Sequence, residues 1–321
     1  MSSRHSELAT PRATIETLQR FGLSTKKRLG QHFLIDDNII GRILDAADLS
    51  QSDTILEVGP GIGTLTVALL KHAGQILAIE KDPALMDALL HTTANNPRLT
   101  ILNADALNLP TLTLPTTPTK LVANLPYQVA ATVVLDCFEY LPSITRATVM
   151  VQREVAERMA ARPATKAYGA YTAKIALLAK VTATFPVSRQ SFLPPPRVDS
   201  TVITLERCSH DEEKAGECVQ SLEHYRAVAA LIDAAFANRR KTILNNLKQW
   251  KRGVGVSSTT PQDVVCGVAD KNDEDGRGTL TPLSLLLEDA LQQAGISASA
   301  RAETLTPADF IRLYQTINRE G

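Results

Sequence analysis

The sequence predicts an α/β fold, a largely parallel sheet with helices on both faces, followed by a smaller helical domain. Three observations carry this. Short β-rich runs alternate with segments of helical periodicity between residue 54 and about residue 160, a glycine-rich turn follows the first run directly, and beyond Cys208 the pattern turns helical. Alternating strands and helices bury both faces of a sheet, and such sheets bind ligands beyond the carboxyl ends of their strands.

The elements follow in order. TILEVG is the first strand, and PGIGTLTVALLKHA after it repeats Leu65, Ala68, Leu69 and His72 at helical spacing. GQILAIEKD is the second strand, closing on Glu80, and PALMDALLHTTA is its helix, with Pro83 suited to a first helical turn. LTILNAD supplies the third strand and ends near Asp105, KLVAN is the fourth, and ATVMVQ is the fifth, before the helix REVAERMAAR. KVTATFPV and STVITLER read as two closing strands joined by SRQSFLPPPRVD. The resulting division is an extension over 1–28, an α/β domain over 29–208 and a helical domain over 209–321. The polar stretch from Gly253 to Gly278, with acidic ADKNDEDGRG at its end, reads as a loop or insertion.

Composition excludes several classes. With 321 residues, 44% of them hydrophobic, the chain buries a sizeable core. No apolar run approaches the roughly eighteen residues a membrane span needs. Charged residues stand where a signal peptide has its apolar centre, and Glu7 and Glu16 do not suit an organelle transit peptide, so a cytoplasmic protein is expected. Cys137, Cys208, Cys218 and Cys266 form no CxxC pair and no metal-ligand spacing with histidine, which predicts reduced thiols and no metal.

Formal charge sums to zero, but it is unevenly spread. Lys26, Lys27 and Arg28 form one basic cluster, and FANRRKTILNNLKQWKR carries Arg239, Arg240, Lys241, Lys248, Lys251 and Arg252 without an acid. Either cluster alone is equally a solvated helix face; together they point to phosphate binding. Phe236, Ile243, Leu247 and Trp250 recur at helical spacing and form the apolar stripe of the second segment.

EVGPGIGTLT, Glu57 to Thr66, is the first motif with chemistry. Glycines at 59, 61 and 63 admit positive φ and let backbone approach a ligand at a helix N-terminus. A nicotinamide dinucleotide and an adenosyl cofactor both suit such a turn, as does no cofactor at all. Glu80, at the end of the second strand, suits a pair of ribose hydroxyls, and Asp105 suits an adenine amine or a helix N-cap. One acid for ribose and one for adenine favours a compact adenosyl cofactor.

The fourth strand ends in NLPY, Asn124 to Tyr127. If the cleft holds S-adenosylmethionine, an exocyclic aromatic amine is a poor acceptor of its methyl group, because the lone pair is delocalised into the ring. The Asn124 side-chain oxygen and the Leu125 carbonyl can accept the amine hydrogens and turn the lone pair toward the methyl group. Pro126 stiffens the turn and Tyr127 offers a ring face to a flipped base.

Together with KKRLGQHFL, NADAL, FLPPPRVDS and FANRRKTILNNL, these motifs resemble the ribosomal RNA adenine dimethyltransferase family, closest to its small-subunit branch, over nearly the whole chain. The resemblance implies a Rossmann-like class I methyltransferase sheet with a C-terminal helical rRNA-binding domain. It implies a cofactor pocket of His32, Leu34, Gly59, Gly61, Glu80, Asp105 and Asn124, and a catalytic corner of Asn124, Leu125, Pro126 and Tyr127. Phe192 would stack on the target adenine opposite Tyr127. His32, often Asn in such enzymes, would contribute main chain and no acid–base role. Lys26, Lys27, Arg28, Arg239, Arg240, Lys241 and Lys248 become the rRNA contacts. The implied reaction is dimethylation at N6 of two adjacent adenines in the 3'-terminal hairpin loop of small-subunit rRNA, in an immature subunit, by a monomer with no membrane or obligate protein partner. A large-subunit dimethylase, a non-catalytic nucleic-acid-binding assembly factor and a nicotinamide enzyme are the alternatives.

Overall fold

The computed structural model describes residues 4–24, 31–219, 221–252 and 283–319. The basic Lys26–Arg28 cluster and the acidic stretch at 269–278 lie outside them. The chain divides into two compact units, one of residues up to 157 with 180–207, the other of 158–179 with the residues from 208 onward.

The first unit begins with α1 (Pro11–Arg20), β1 (Phe33–Leu34) and α2 (Asp37–Ala47). Its body is β2 (Thr54–Val58), α3 (Thr64–His72), β3 (Gln75–Glu80), α4 (Met86–Thr92), β4 (Leu99–Asn103), β5 (Lys120–Asn124), α5 (Ala130–Tyr140) and β6 (Arg146–Gln152). A helix α6 (Arg153–Met159), then α7 (Ala170–Ala176), lead to β7 (Ala179–Val187), β8 (Phe192–Leu193) and β9 (Ser200–Arg207).

Seven strands form one sheet in the order β4-β3-β2-β5-β6-β9-β7. The five strands expected to be parallel are parallel, and β9 runs antiparallel to β6, from Arg146 opposite Glu206 to Gln152 opposite Ser200. Central strands β2, β3 and β5 bury every residue except at strand ends, which is why they read as continuous apolar runs rather than alternating ones. The parallel register brings the ends of β2, β3, β4 and β5 to one edge of the sheet, and that edge holds the site.

Beside the sheet, β1 and β8 pair antiparallel, Phe33 opposite Leu193 and Leu34 opposite Phe192. No sequence period announces a two-residue strand, so this pairing was not expected. It joins the QHFL segment to the FLPPP segment, and the Ile35 N–H donates to the Ser191 carbonyl at 2.8 Å to extend it.

The second unit contains α8 (His210–Lys214), α9 (Leu222–Phe236), α10 (Ile243–Arg252), α11 (Leu283–Gln293) and α12 (Pro307–Arg319). The sequence pattern groups 158–179 with the α/β domain, whereas its contacts place it here. Tyr168, 1% exposed, donates to the Leu305 carbonyl at 2.7 Å, and Arg239 donates to the Tyr168 carbonyl, also at 2.7 Å. The basic segment expected as one helix is broken: α9 stops at Phe236 and α10 starts at Ile243. Asn238 makes the break, its side-chain oxygen accepting from Arg240 N–H and its carbonyl from the Asn246 amide. Ile243 and Leu247 are buried as the stripe requires.

Cys208 and Cys218 are joined by a disulfide, which corrects the expectation of reduced thiols. Cys137 is free and buried. Among the described residues no helix is long and apolar enough to cross a membrane.

Candidate active site

At the carboxyl edge of the sheet a cleft is lined by the glycine turn, the ends of β3 and β5, Asp105 and the QHFL segment. The turn after β2 has a positive φ that favours glycine, and its backbone makes close contacts there. Gly59 has φ of +71° and a Cβ there would sit 3.3 Å from the Pro126 ring; Gly61 has φ of +63° and its Cβ would meet the Phe33 ring at 3.1 Å. The backbone therefore presses against both NLPY and QHFL. Gly63, left-handed at φ of +87°, starts α3.

Glu80 closes β3, nearly buried, and accepts from Gly61 N–H at 3.1 Å and Asp82 N–H at 2.8 Å. Burial pushes its carboxyl upward, with these backbone bonds opposing. Asp105 caps the 3-10 turn Ala106–Thr111, accepting from Leu107 N–H, and pairs with Lys81 Nζ at 2.6 Å. That pairing holds its carboxyl below the usual carboxylate range, with partial burial opposing. The N-cap reading of Asp105 is the one seen here: one carboxylate oxygen caps the turn while the other faces the Lys81 charge.

Asn124 ends β5 and its amide nitrogen donates to the His32 carbonyl at 3.1 Å. With the nitrogen so committed, the amide oxygen is the end left to accept from a ligand. Leu125 is buried and its N–H donates to the Met150 carbonyl, fixing the turn to β6. Tyr127, half-buried, hydrogen-bonds through its hydroxyl to Ser200 Oγ at 2.7 Å, and its ring stacks on His32 with centroids 5.7 Å apart at 26°. The His32 Nδ1 in turn meets the Pro194 carbonyl at 2.7 Å. Leu34 is buried at the cleft wall.

Asn124, Leu125, Pro126, Tyr127, His32, Leu34, Gly59, Gly61, Glu80 and Asp105 therefore meet at one cleft. Phe192 does not join them. It is 2% exposed and belongs to the core cluster of Leu34, Ile39, Ile43 and Val187. The aromatic face expected against an adenine is covered by core, because the β1–β8 pairing carries Phe192 beneath the cleft wall rather than into it. His32 is the ring found against Tyr127 instead.

Among the basic candidates, Arg239 bonds to the carbonyls of Lys166 and Tyr168 and pairs with Glu303 at 3.4 Å, so it is tied into the helical unit. Lys248 pairs with Glu288 at 3.2 Å. Arg240 is exposed and Lys241 half-exposed.

The sequence does not single out four residues at or beside the cleft, Glu57, Thr64, Lys81 and Ser200. Glu57, fully buried in β2, has one carboxylate oxygen without a partner, and Thr64 nearby has an unpartnered hydroxyl. Burial pushes the Glu57 carboxyl up to about 8, with Thr66 opposing and Glu80 adding. Its signal was present, an acid inside the apolar run TILEV. Lys81 and Ser200 gave no such signal, since their partners are distant in sequence.

The family model described as "Ribosomal RNA adenine dimethylase" matches residues 22–264. A ribosomal RNA small subunit methyltransferase A of Thermobifida fusca is 39% identical over 318 residues, covering 98% of this chain and 97% of that protein. The protein of the same description from Rubrobacter xylanophilus is 40% identical over 293 residues, covering 91% and 95%. The crystal structure of a dimethyladenosine transferase from Plasmodium falciparum aligns at a TM-score of 0.67 and 25% identity, over 90% of this chain and 98% of that one.

Proposed function

Because the chain belongs to the ribosomal RNA adenine dimethylase family, we propose that it dimethylates N6 of two adjacent adenines in the 3'-terminal hairpin loop of small-subunit rRNA, using S-adenosylmethionine. The observation that carries the mechanism is the Asn124 corner at the end of β5, its amide oriented by the His32 carbonyl beside the glycine turn. The small-subunit assignment follows the relatives, both described as small-subunit methyltransferases.

The cleft suits the cofactor on its own chemistry. The unpartnered Glu57 oxygen and Thr64 hydroxyl suit a ligand with a hydrogen-bonding end, and Gly59 and Gly61, at positive φ, bring bare backbone to the cleft. In this reading Glu80, at the end of β3, accepts from the ribose hydroxyls and Asp105 from the adenine amine; their position at the lining of one cleft supports it. S-adenosylmethionine, when bound, supplies a methyl group activated on a sulfonium. Asn124 Oδ1 and the Leu125 carbonyl then accept the two hydrogens of the target amine and direct its lone pair at that methyl group. The product nitrogen, acidic while cationic, loses its proton to water, so no side chain serves as general base. The second transfer repeats the geometry with one hydrogen fewer. Tyr127 offers the stacking face for the flipped base, with Ser200 holding its ring and His32 covering it until the base arrives.

A hairpin loop is the fitting substrate because its bases splay out at low cost. Arg240 and Lys241, with Lys26, Lys27 and Arg28, are the phosphate-contact candidates of the helical unit and the N-terminal segment. The same reading has the protein acting as a monomer, in the cytoplasm, on a partly assembled subunit.

Labelled methyl transfer to immature small subunits, large subunits and naked rRNA, with nucleoside analysis, tests the reading. Dimethyladenosine should appear in small-subunit rRNA, and Asn124→Ala should lower turnover by about 10²–10³-fold. Label confined to large-subunit rRNA, or cofactor binding without label anywhere, would overturn it in favour of a large-subunit dimethylase or an assembly factor.

A further inference from the structure

Cys208 and Cys218 bracket a short loop leading into α9, and their sulfurs are bonded with the Cα atoms 6.4 Å apart. Both are almost inaccessible, at 4% and 1% exposure. Glu212, on α8 between them, accepts from Ser209 N–H at 2.7 Å, while its own N–H donates to Ser209 Oγ; this reciprocal cap fixes the carboxylate. The donor atoms of Cys208, Glu212 and Cys218 all lie within 4.8 Å of one another. Gly216, at φ of +73°, reverses the chain between Glu212 and Cys218. The ends of the loop are pinned side by side, Cys208 N–H to the Leu178 carbonyl at 2.9 Å and Val219 N–H to the Leu177 carbonyl at 2.8 Å.

This arrangement holds two buried sulfurs and an oriented carboxylate around one point, and the backbone bonds at the loop ends and the Ser209 cap that set it do not involve the S–S bond. An enzyme that methylates rRNA works where ribosomes are assembled, in a thiol-reducing compartment where disulfides are rare and open to reduction. Resting on the proposed function for that compartment, we propose that Cys208, Glu212 and Cys218 form a binding site for a thiophilic divalent cation, with zinc as its representative.

Two thiolates and one carboxylate are donors zinc accepts, at about 2.3 Å for sulfur and about 2.0–2.2 Å for oxygen, with water completing a tetrahedron. A dithiol reductant delivers two electrons and two protons to the S–S bond, leaving two thiols and itself a disulfide. The cation then displaces those two protons as the thiolates bind. The Cα separation lies toward the wide end of the disulfide range of about 4.4–6.8 Å, so an ion fits between the sulfurs with little backbone movement. Bound there, the cation closes the loop ahead of α9 without an oxidant. Sequence spacing hid the site because its third ligand is a glutamate, and only the Gly216 reversal brings Cys218 back to it.

Full-length protein reduced with a phosphine is titrated with Co²⁺ under optical absorption, and its Zn²⁺ content is measured by equilibrium dialysis. About one ion per chain should bind, with thiolate-to-cobalt charge-transfer absorption. Cys218→Ser should abolish that absorption, Glu212→Gln should weaken binding about tenfold or more, and Cys266→Ser should leave it unchanged. No cobalt absorption and no zinc above the Cys218→Ser background would overturn the proposal, whether the sulfurs then count as free thiols or as a disulfide that resists the phosphine. Methyl transfer assayed on the same sample separates the two readings. Metal bound without transfer upholds the site and counts against the proposed function alone, whereas transfer in protein that binds no metal overturns the site alone.

Discussion

The Tyr127 hydroxyl lies 2.7 Å from the Oγ of Ser200, and Ser200 is wholly buried at the start of β9. A turn after β5 is thereby bolted to a strand on the far side of β6. Ser200→Ala leaves the half-buried phenol without its partner, which should cost about 1–3 kcal/mol of stability. The freed ring should also raise the KM for RNA while cofactor affinity stays unchanged. Thermal unfolding, cofactor calorimetry and steady-state kinetics on one preparation read all three; an unchanged KM for RNA would show that the bond serves stability alone.

What the sequence made legible follows from local periodicity. Strand–turn–helix repeats locate the ends of β2 to β5, and any acid or amide at those ends must face the same edge; Glu80, Asp105 and Asn124 were found that way. His32 and Phe192 were placed less well, because the two-residue pairing of β1 with β8 has no pattern to read and decides which ring reaches Tyr127. The same limit applies to Arg239, whose bonds to Lys166 and Tyr168 depend on tertiary packing.

Glu57 gives the free protein a pH dependence of definite sign. Its carboxyl, ordinarily near 4.5, is held up to about 8 in the fold, chiefly by burial. Between those values the folded chain keeps a proton that the unfolded chain has lost, so this contribution to stability is whole below the lower value and falls away as pH rises to the upper one. Glu57→Gln, similar in shape and unable to ionise, should flatten the decline in melting temperature between about pH 5 and about pH 8. Parallel declines in the two proteins would mean that Glu57 is ionised in the fold.

Lys81 pairs with Asp105 at 2.6 Å and is the largest cause of that carboxyl's downward shift. A depressed acid stays ionised further into the acid range, so an Asp105 that accepts the cofactor's adenine amine keeps that capacity at low pH. Lys81→Met removes the depression, and cofactor affinity should then fail at a higher pH on acidification than in the unaltered protein. Binding titrations across the acid range measure it. Coincident acid limbs would separate Asp105 from adenine recognition.

Arg239 and Arg240 are neighbours with opposite commitments. Arg239 is spent on the Lys166 and Tyr168 carbonyls and on Glu303, all within the helical unit. Arg240 is exposed, its backbone N–H held by Asn238 in the turn between α9 and α10. Arg239→Ala should therefore lower the melting temperature, with any loss of RNA affinity following from the weakened unit. Arg240→Ala should leave melting unchanged, weaken RNA binding, and reduce the slope of log affinity against log salt by about 0.7–0.9, the value for one phosphate contact. Differential scanning calorimetry paired with RNA titrations at several salt concentrations distinguishes the two residues. If Arg240→Ala leaves the salt slope intact, the turn between α9 and α10 is not an RNA contact, and the basic character of this segment serves solvation alone.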